Sequence, residues 1–168
     1  MRQKLIIITG SPYVGKSTVT EKVFTMLENS AYLDGDWVWN VNPFSVRDPR
    51  LRNGDKNMSF TLSTYLQSQF EYVFFASVIA TDPEIRRNIL ADIDHNEYEI
   101  LGITLTCSRE TLEERYAARG DGNRLTFAFL DQPPYPGDWL LNTDGLDADE
   151  VSRLIYDKIK KKRPAFPS

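Results

Sequence analysis

The chain has 168 residues, 41% of them hydrophobic, which suits a single domain, 1–168, with a substantial core. Its net charge of −4 speaks against nucleic acid or an anionic membrane surface as the main partner. No stretch approaches the ~18 apolar residues of a membrane span, and the apolar run near the N-terminus is too short for a signal peptide. The one cysteine, Cys107, cannot form an internal disulfide, so a reducing compartment and a cytoplasmic protein are expected.

Apolar runs alternate with helical patterns along the chain. Lys4–Thr9 reads as a buried strand, and Lys16–Ser30 as the helix after it. Ala31–Leu33, Tyr72–Ala80, Tyr98–Thr106 and Trp139–Leu141 read as further strands. Phe60–Phe70, Pro83–Asp94, Arg109–Arg119 and Ala148–Lys161 read as helices. Asp82 before Pro83 and Glu84 is a helix-start signal, and so is Asp147 before Asp149 and Glu150. Strands separated by helices predict a parallel sheet with helices on both faces. Cys107 ends an apolar run and reads as a buried thiol. His95 sits in an Asp-His-Asn turn and carries no expected role. The basic stretch Lys160–Arg163 reads as cations complementing the end of the last helix.

Between the first strand and the first helix lies Gly10-Ser11-Pro12-Tyr13-Val14-Gly15-Lys16-Ser17, of the form G-x-x-x-x-G-K-[ST]. Gly10 and Gly15 let the backbone curl so that successive N–H groups point inward. Those donors and the positive end of the following helix, with Thr18 in its first turn, favour a polyphosphate. Lys16 can follow the β- and γ-phosphates, and the Ser17 hydroxyl suits Mg²⁺ shared with them. ATP and Mg²⁺ are therefore the expected ligands.

Two stretches interrupt the alternation. Residues 34–58 follow the second strand and are rich in Asp, Asn, Pro, Arg and Trp; residues 120–138 follow the fourth helix and are rich in Gly and Pro. Long irregular segments in a compact domain tend to be functional or mobile, and ligands of parallel sheets bind at the carboxyl ends of the strands. Asp34 and Asp36, with Gly35 between them, bring two carboxylates towards one strand end. They read either as an acid pair that orients a hydroxyl acceptor and takes its proton, or as a solvated Asp-Gly turn. Arg47, Arg50 and Arg52 are either ligands for an acceptor phosphate or a solvated loop. Arg124, and next to it in rank Arg119, stand where a closing lid would deliver charge to a migrating phosphoryl group.

Leu33-Asp34-Gly35-Asp36, together with the phosphate loop, resembles the small P-loop kinases of gluconate and adenylyl sulfate. Ala118-Arg119-Gly120-Asp121 is similar to the lid of chloramphenicol phosphotransferase, another small P-loop kinase. The resemblance implies an α/β, three-layer P-loop NTPase fold: a five-stranded parallel sheet flanked by helices, with a short lid. It implies acceptor contacts within 34–70 and a lid at 119–138. Carried over by position, Asp36 becomes the general base or acceptor-hydroxyl ligand, and Asp34 an acid near Mg²⁺ or the acceptor. Arg115 or Arg119 would stack on adenine, and the loop at Asn142-Thr143-Asp144-Gly145 would contact it through backbone groups. Gluconate kinases place histidine and arginine soon after the acidic motif. Here Trp37, Val38, Trp39 and Asn40 follow, which suits a flatter acceptor such as a nucleoside, an aminocyclitol or an aromatic antibiotic; the alternative for each tryptophan is packing in the core.

Three functions follow in order. The first is an ATP-dependent kinase acting on a hydroxyl of a small metabolite or antibiotic, with Lys16, Asp36, Arg119 and Arg124 carrying the chemistry. Its acceptor would meet Asp34, Asp36, Trp37, Trp39, Asn40 and Arg47. The second is a nucleoside or nucleotide kinase with its acceptor among Arg47–Arg52. The third is a GTP-dependent regulatory module, but neither Asn-Lys-x-Asp nor Asp-x-x-Gly occurs in the sequence. The oligomeric state is not legible.

Overall fold

A computed structural model of the protein describes residues 2–161. The elements in chain order are β1 (Gln3–Gly10), α1 (Lys16–Thr25), β2 (Ser30–Asp34), α2 (Gly54–Gln67), β3 (Tyr72–Ala76), α3 (Pro83–Ala91), β4 (Tyr98–Thr106), α4 (Arg109–Arg119), β5 (Trp139–Asn142) and α5 (Ala148–Lys160). The five strands form one parallel sheet in the order β2-β3-β1-β4-β5. The expected α/β architecture of five parallel strands flanked by helices is the one observed.

The central strand explains the layers. Leu5, Ile6, Ile7 and Ile8 are all fully buried, as a strand covered on both faces requires. Ile6 and Ile8 point to a core shared with Val19 and Val23 of α1, Leu112 of α4, and Val151 and Ile155 of α5. Leu5 and Ile7 point the opposite way, to Met58, Leu62 and Leu66 of α2 and Ile89 of α3. The parallel register sets Asp34 beside Ala76, and Gly10 beside Leu105. The carboxyl ends of β1, β2 and β3 therefore meet at one edge, and the site is built there.

Several boundaries differ from the expected ones. α1 stops at Thr25 rather than Ser30: Ser30 Oγ donates to the carbonyls of Phe24 and Leu27, and Asn29 adopts a left-handed turn at φ 53°. α2 begins at Gly54, six residues before Phe60, because the indole of Trp39 packs against Gly54 and buries that first residue. β3 ends at Ala76 rather than Ala80. The remaining apolar residues form a buried 3₁₀ turn, Ile79–Thr81, held by a hydrogen bond between the Thr9 and Thr81 hydroxyls (2.7 Å). Both helix-start signals are real caps. The Asp82 carboxylate accepts the N–H groups of Glu84 and Ile85, and Asp147 forms a reciprocal capping box with Glu150. Cys107 is buried. His95 bonds Gln3 at 2.9 Å, at the amino end of β1 and so opposite the carboxyl ends. Lys158 and Lys160 lie in the last turn of α5, while Lys162 and Arg163 fall outside the described residues.

Candidate active site

At the end of β1 the chain turns at Gly10 with φ 142°, where a Cβ would stand 2.5 Å from the Leu105 carbonyl oxygen. Only glycine passes this point, so the phosphate loop begins where the neighbouring strand leaves no room. The loop then closes onto α1, whose N-terminus has no side-chain cap and no acidic residue in its first turn. Its leading N–H groups remain free for an anion. Lys16 Nζ donates to the Ser11 carbonyl across the loop (2.9 Å). Lys16 reaches solvent through the cavity, yet protein crowds around it. That desolvation drives its ammonium down to about 8, against the opposing pull of Asp36 and Asp34.

At the end of β2 stands Asp34, 7% exposed. One carboxylate oxygen accepts from the Ser17 hydroxyl (2.6 Å) and the Tyr32 hydroxyl (3.0 Å), the other from the Asp36 N–H (3.0 Å). Burial, then the Asp34 charge, pushes the Tyr32 phenol up and keeps it a donor. Gly35 lies between the two acids because Ser77 closes in from β3: a Cβ at Gly35 would stand 2.8 Å from Ser77 Oγ. Asp36 opens onto the cavity. Desolvation and then Asp34 raise its carboxyl, with Lys16 and Arg119 pulling the other way. A carboxylate raised in this manner binds a proton more readily.

α4 supplies the opposite wall. Arg115 donates to the Val14 carbonyl (3.1 Å) and to the hydroxyl and carbonyl of Thr143 (2.9 and 3.1 Å). These in-plane bonds tie the phosphate loop to the turn after β5 and leave the guanidinium, one of the two expected to stack on adenine, at the cavity wall. Arg119 pairs with Asp121 (3.2 Å). Tyr13, in the middle of the phosphate loop, donates its hydroxyl to both oxygens of Asp121 (3.0 and 3.1 Å).

These elements enclose a cavity of about 550 Å³. Its walls include Pro12 to Val19, Asp34, Asp36, Ala76 to Val78, Arg115, Arg119, Asp121 and Asn123. Thr143, Leu146, Ala148 and Val151 close the far end. Most of the predicted donor-side residues thus meet at one place, with Asp34, Asp36 and Arg119. Others stand apart. Trp37 is 63% exposed and packs edge-to-face on Tyr32, outside the cavity wall. Trp39 is half-buried against Gly54 and does not line the cavity. Asn40 and Arg47 are exposed and do not line the cavity. Arg50 pairs with Asp48 and Arg52 with Asp55, which makes these two part of a self-neutralised loop. Arg124 is exposed beyond the cavity wall, so of the two lid arginines only Arg119 faces the site.

The segment 119–138 is divided in its packing. Asp121 and Asn123 face the phosphate loop, whereas Leu125, Phe127 and Leu130 pack on the body. Its far end is fixed by Arg86 and Asp138, paired through two hydrogen bonds (2.8 and 2.9 Å) with both side chains almost fully buried. Sequence reasoning did not assign a role to Tyr32, Asp121, Asn123 or the wall at Leu146–Val151. For Tyr32 a signal existed: strand alternation puts it on the same side as Asp34, two residues on. For the others the signal is tertiary.

No family model matches the sequence, and no curated protein matches it. Solved structures do. The tunicamycin resistance protein of Deinococcus radiodurans superposes with a TM-score of 0.71 at 17% identity, covering 96% of this chain and 98% of that one. The APS kinase of Mycobacterium tuberculosis, in complex with AMPPNP and APS, gives 0.66 at 18% identity, covering 95% and 99%. A gluconokinase of Sinorhizobium meliloti gives 0.63 at 15% identity, covering 94% and 95%. At such identities the likeness is one of fold: this chain has the three-layer fold of small P-loop kinases.

Proposed function

We propose that the protein is an ATP-dependent kinase that transfers the γ-phosphoryl group to a hydroxyl of a small molecule. The observation that carries this reading is the bond from Ser17 to Asp34, with Asp36 two residues on and Lys16 beside them in one cavity. It joins a phosphate-binding loop to a carboxylate that opens onto the same space. The Ser17–Asp34 pair would serve Mg²⁺ in any nucleotide-binding module, and it is Asp36, a further carboxylate opening onto the same cavity, that an acceptor calls for.

In this reading the triphosphate lies on the loop N–H groups and the N-terminus of α1, with Lys16 along the β- and γ-phosphates. The base sits between Thr143 and the apolar wall at Leu146, Ala148 and Val151. The Ser17 hydroxyl and the Asp34 carboxylate are hard oxygen donors and fit Mg²⁺. Among the described residues no three acidic, His or Cys side chains cluster as a metal site, which matches an ion that takes most of its ligands from phosphates and water. When bound, Mg²⁺ neutralises charge on the β- and γ-phosphates. Asp36 accepts the proton of the acceptor alcohol as its oxygen bonds to the γ-phosphorus. The bond from that phosphorus to the ADP oxygen breaks, and Arg119 faces the charge that spreads over the migrating group. Residues 34–70 supply the acceptor side, and the short stretch 119–124 supplies the lid.

The acceptor end is lined by carboxylates and small residues, while Arg50 and Arg52 are paired elsewhere. That supports an acceptor without a phosphate over a nucleotide acceptor. No helix among the described residues is long and apolar enough to cross a membrane. A cytoplasmic setting, where ATP is abundant, belongs to the same proposal. The test is transfer from labelled ATP to a panel of sugars, aminocyclitols, nucleosides, nucleotides and aromatic antibiotics. Asp36→Asn is expected to lower transfer by about 10²–10⁴-fold and to keep its affinity for AMPPNP–Mg²⁺. Transfer at the wild-type rate in that variant would remove Asp36 from the mechanism.

A further inference from the structure

Tyr13 occupies one of the four variable positions of the phosphate loop, and nothing in phosphate binding asks for an aromatic ring there. It is nevertheless held in a left-handed conformation, φ 69°, which an L-residue avoids unless its surroundings impose it. That conformation aims the ring out of the loop and into the lid. The ring meets Tyr116 edge-to-face with centroids 5.2 Å apart, and Arg119 lies over it at 5.5 Å. The hydroxyl donates to both Asp121 oxygens, and the same carboxylate accepts from the Asn123 N–H (3.0 Å) and pairs with Arg119. Tyr116 donates its own hydroxyl to the Asn123 carbonyl (2.7 Å). The turn after α4 is thus stitched to the phosphate loop at several points, with Arg119 in the middle.

We propose that Tyr13 and Asp121 are positioning residues that hold Arg119 over the place of the terminal phosphate. The inference rests on the reading of the cavity as an ATP site. Three features support it. Arg119 and Asp121 both line the cavity, so the pair faces the ligand and is not only a surface bridge. Arg119 shares one cavity with Lys16 and Asp36. The γ-phosphate has to lie between those two groups if one follows the triphosphate and the other serves the acceptor. A flexible arginine on a helix end would otherwise sample many rotamers, and a fixed carboxylate and ring face reduce that freedom before the ligand arrives.

The consequence is selective. Loss of the latch should weaken binding of a nucleotide with a terminal γ-group and leave a diphosphate nearly untouched. A general loosening of the phosphate loop would weaken both alike. Isothermal titration with AMPPNP–Mg²⁺ and with ADP–Mg²⁺ separates these cases in Tyr13→Phe, which removes only the hydroxyl, and in Asp121→Asn, which removes only the charge. Each is expected to lose about fivefold in AMPPNP affinity, with ADP affinity changed by about twofold at most. In an Arg119→Ala background neither substitution should have a further effect. Equal losses for both nucleotides, no loss for either, or full effects persisting without Arg119 would each overturn the latch. Thermal melting of every variant checks that it is folded, and if Tyr13→Phe is not, Asp121→Asn with its Arg119→Ala pairing decides alone. Wild-type protein that fails to bind AMPPNP–Mg²⁺ would remove the ATP reading and the latch with it. Wild-type binding with an unchanged AMPPNP-to-ADP ratio in the variants would remove the latch only.

Discussion

Nucleotide binding should draw protons onto Lys16. With its ammonium lowered to about 8 by burial, Lys16 is charged in about half of the molecules at pH 8. A triphosphate laid along the loop replaces the missing solvation and restores the charged form. Each bound AMPPNP–Mg²⁺ should therefore take up about half a proton at pH 8, about a tenth at pH 7 and almost none at pH 6. Titrations in buffers of different ionisation enthalpy measure this number as the slope of apparent heat against buffer heat. A slope near zero at pH 8, or one that does not change between pH 6 and pH 8, would refute the burial argument. The free protein has a matching signature. Lys16 holds its proton less tightly when folded than the 10.5 of an ordinary lysine. Between about pH 8 and 10.5 the unfolded chain binds more protons than the folded one, so this group's contribution to stability rises with pH across that window. Below it the full penalty of charging the buried amine applies. The gain is at most about 1.4 kcal/mol per pH unit. It should appear as a stability difference between wild type and Lys16→Met that shifts in favour of wild type as pH rises across that window.

Two further predictions concern the frame around the site. Asp138→Asn leaves Arg86, only 3% exposed at its side chain, opposite a neutral group, with the Tyr135 ring centroid 3.8 Å from its guanidinium. Loss of about 3 kcal/mol in urea denaturation is expected, and a loss under about 1 kcal/mol would show that the pair relaxes to solvent. Gly35→Ala drives a methyl group against Ser77, so stability should fall by about 1–3 kcal/mol. Phosphoryl transfer should drop, because Asp36 moves with its neighbour, while AMPPNP affinity stays. Unchanged transfer would mean that the strand end yields without moving the acid.

The amino-acid sequence by itself determined whatever depends on near neighbours along the chain. The apolar run of β1, the loop chemistry of residues 10–17 and the caps at Asp82 and Asp147 are short-range patterns, and each specifies its backbone wherever it occurs. The fold class followed from strands and helices in alternation. Boundaries were lost where distant groups intervene: α2 starts early because Trp39 covers Gly54, and the apolar run after Ala76 turns because Thr9 holds Thr81. The site was legible to the same extent. Lys16 and Ser17 announced themselves through local spacing, whereas the spacing of Asp34 and Asp36 left a solvated turn open and only the resemblance to small P-loop kinases pointed to an acid pair. Only the tertiary structure decided which arginine faces them. Along the chain Arg124 reads as the better placed and Arg119 as the next, but α4 ends against the phosphate loop, where Arg119 meets Tyr13 and Asp121 and lines the cavity while Arg124 does not. Arg115 likewise is held at the cavity wall by carbonyls 101 and 28 residues away. Periodicity fixes which face of an element is apolar. Which charged groups then share one low-dielectric space depends on how strand ends align, and that alignment is written in no single segment.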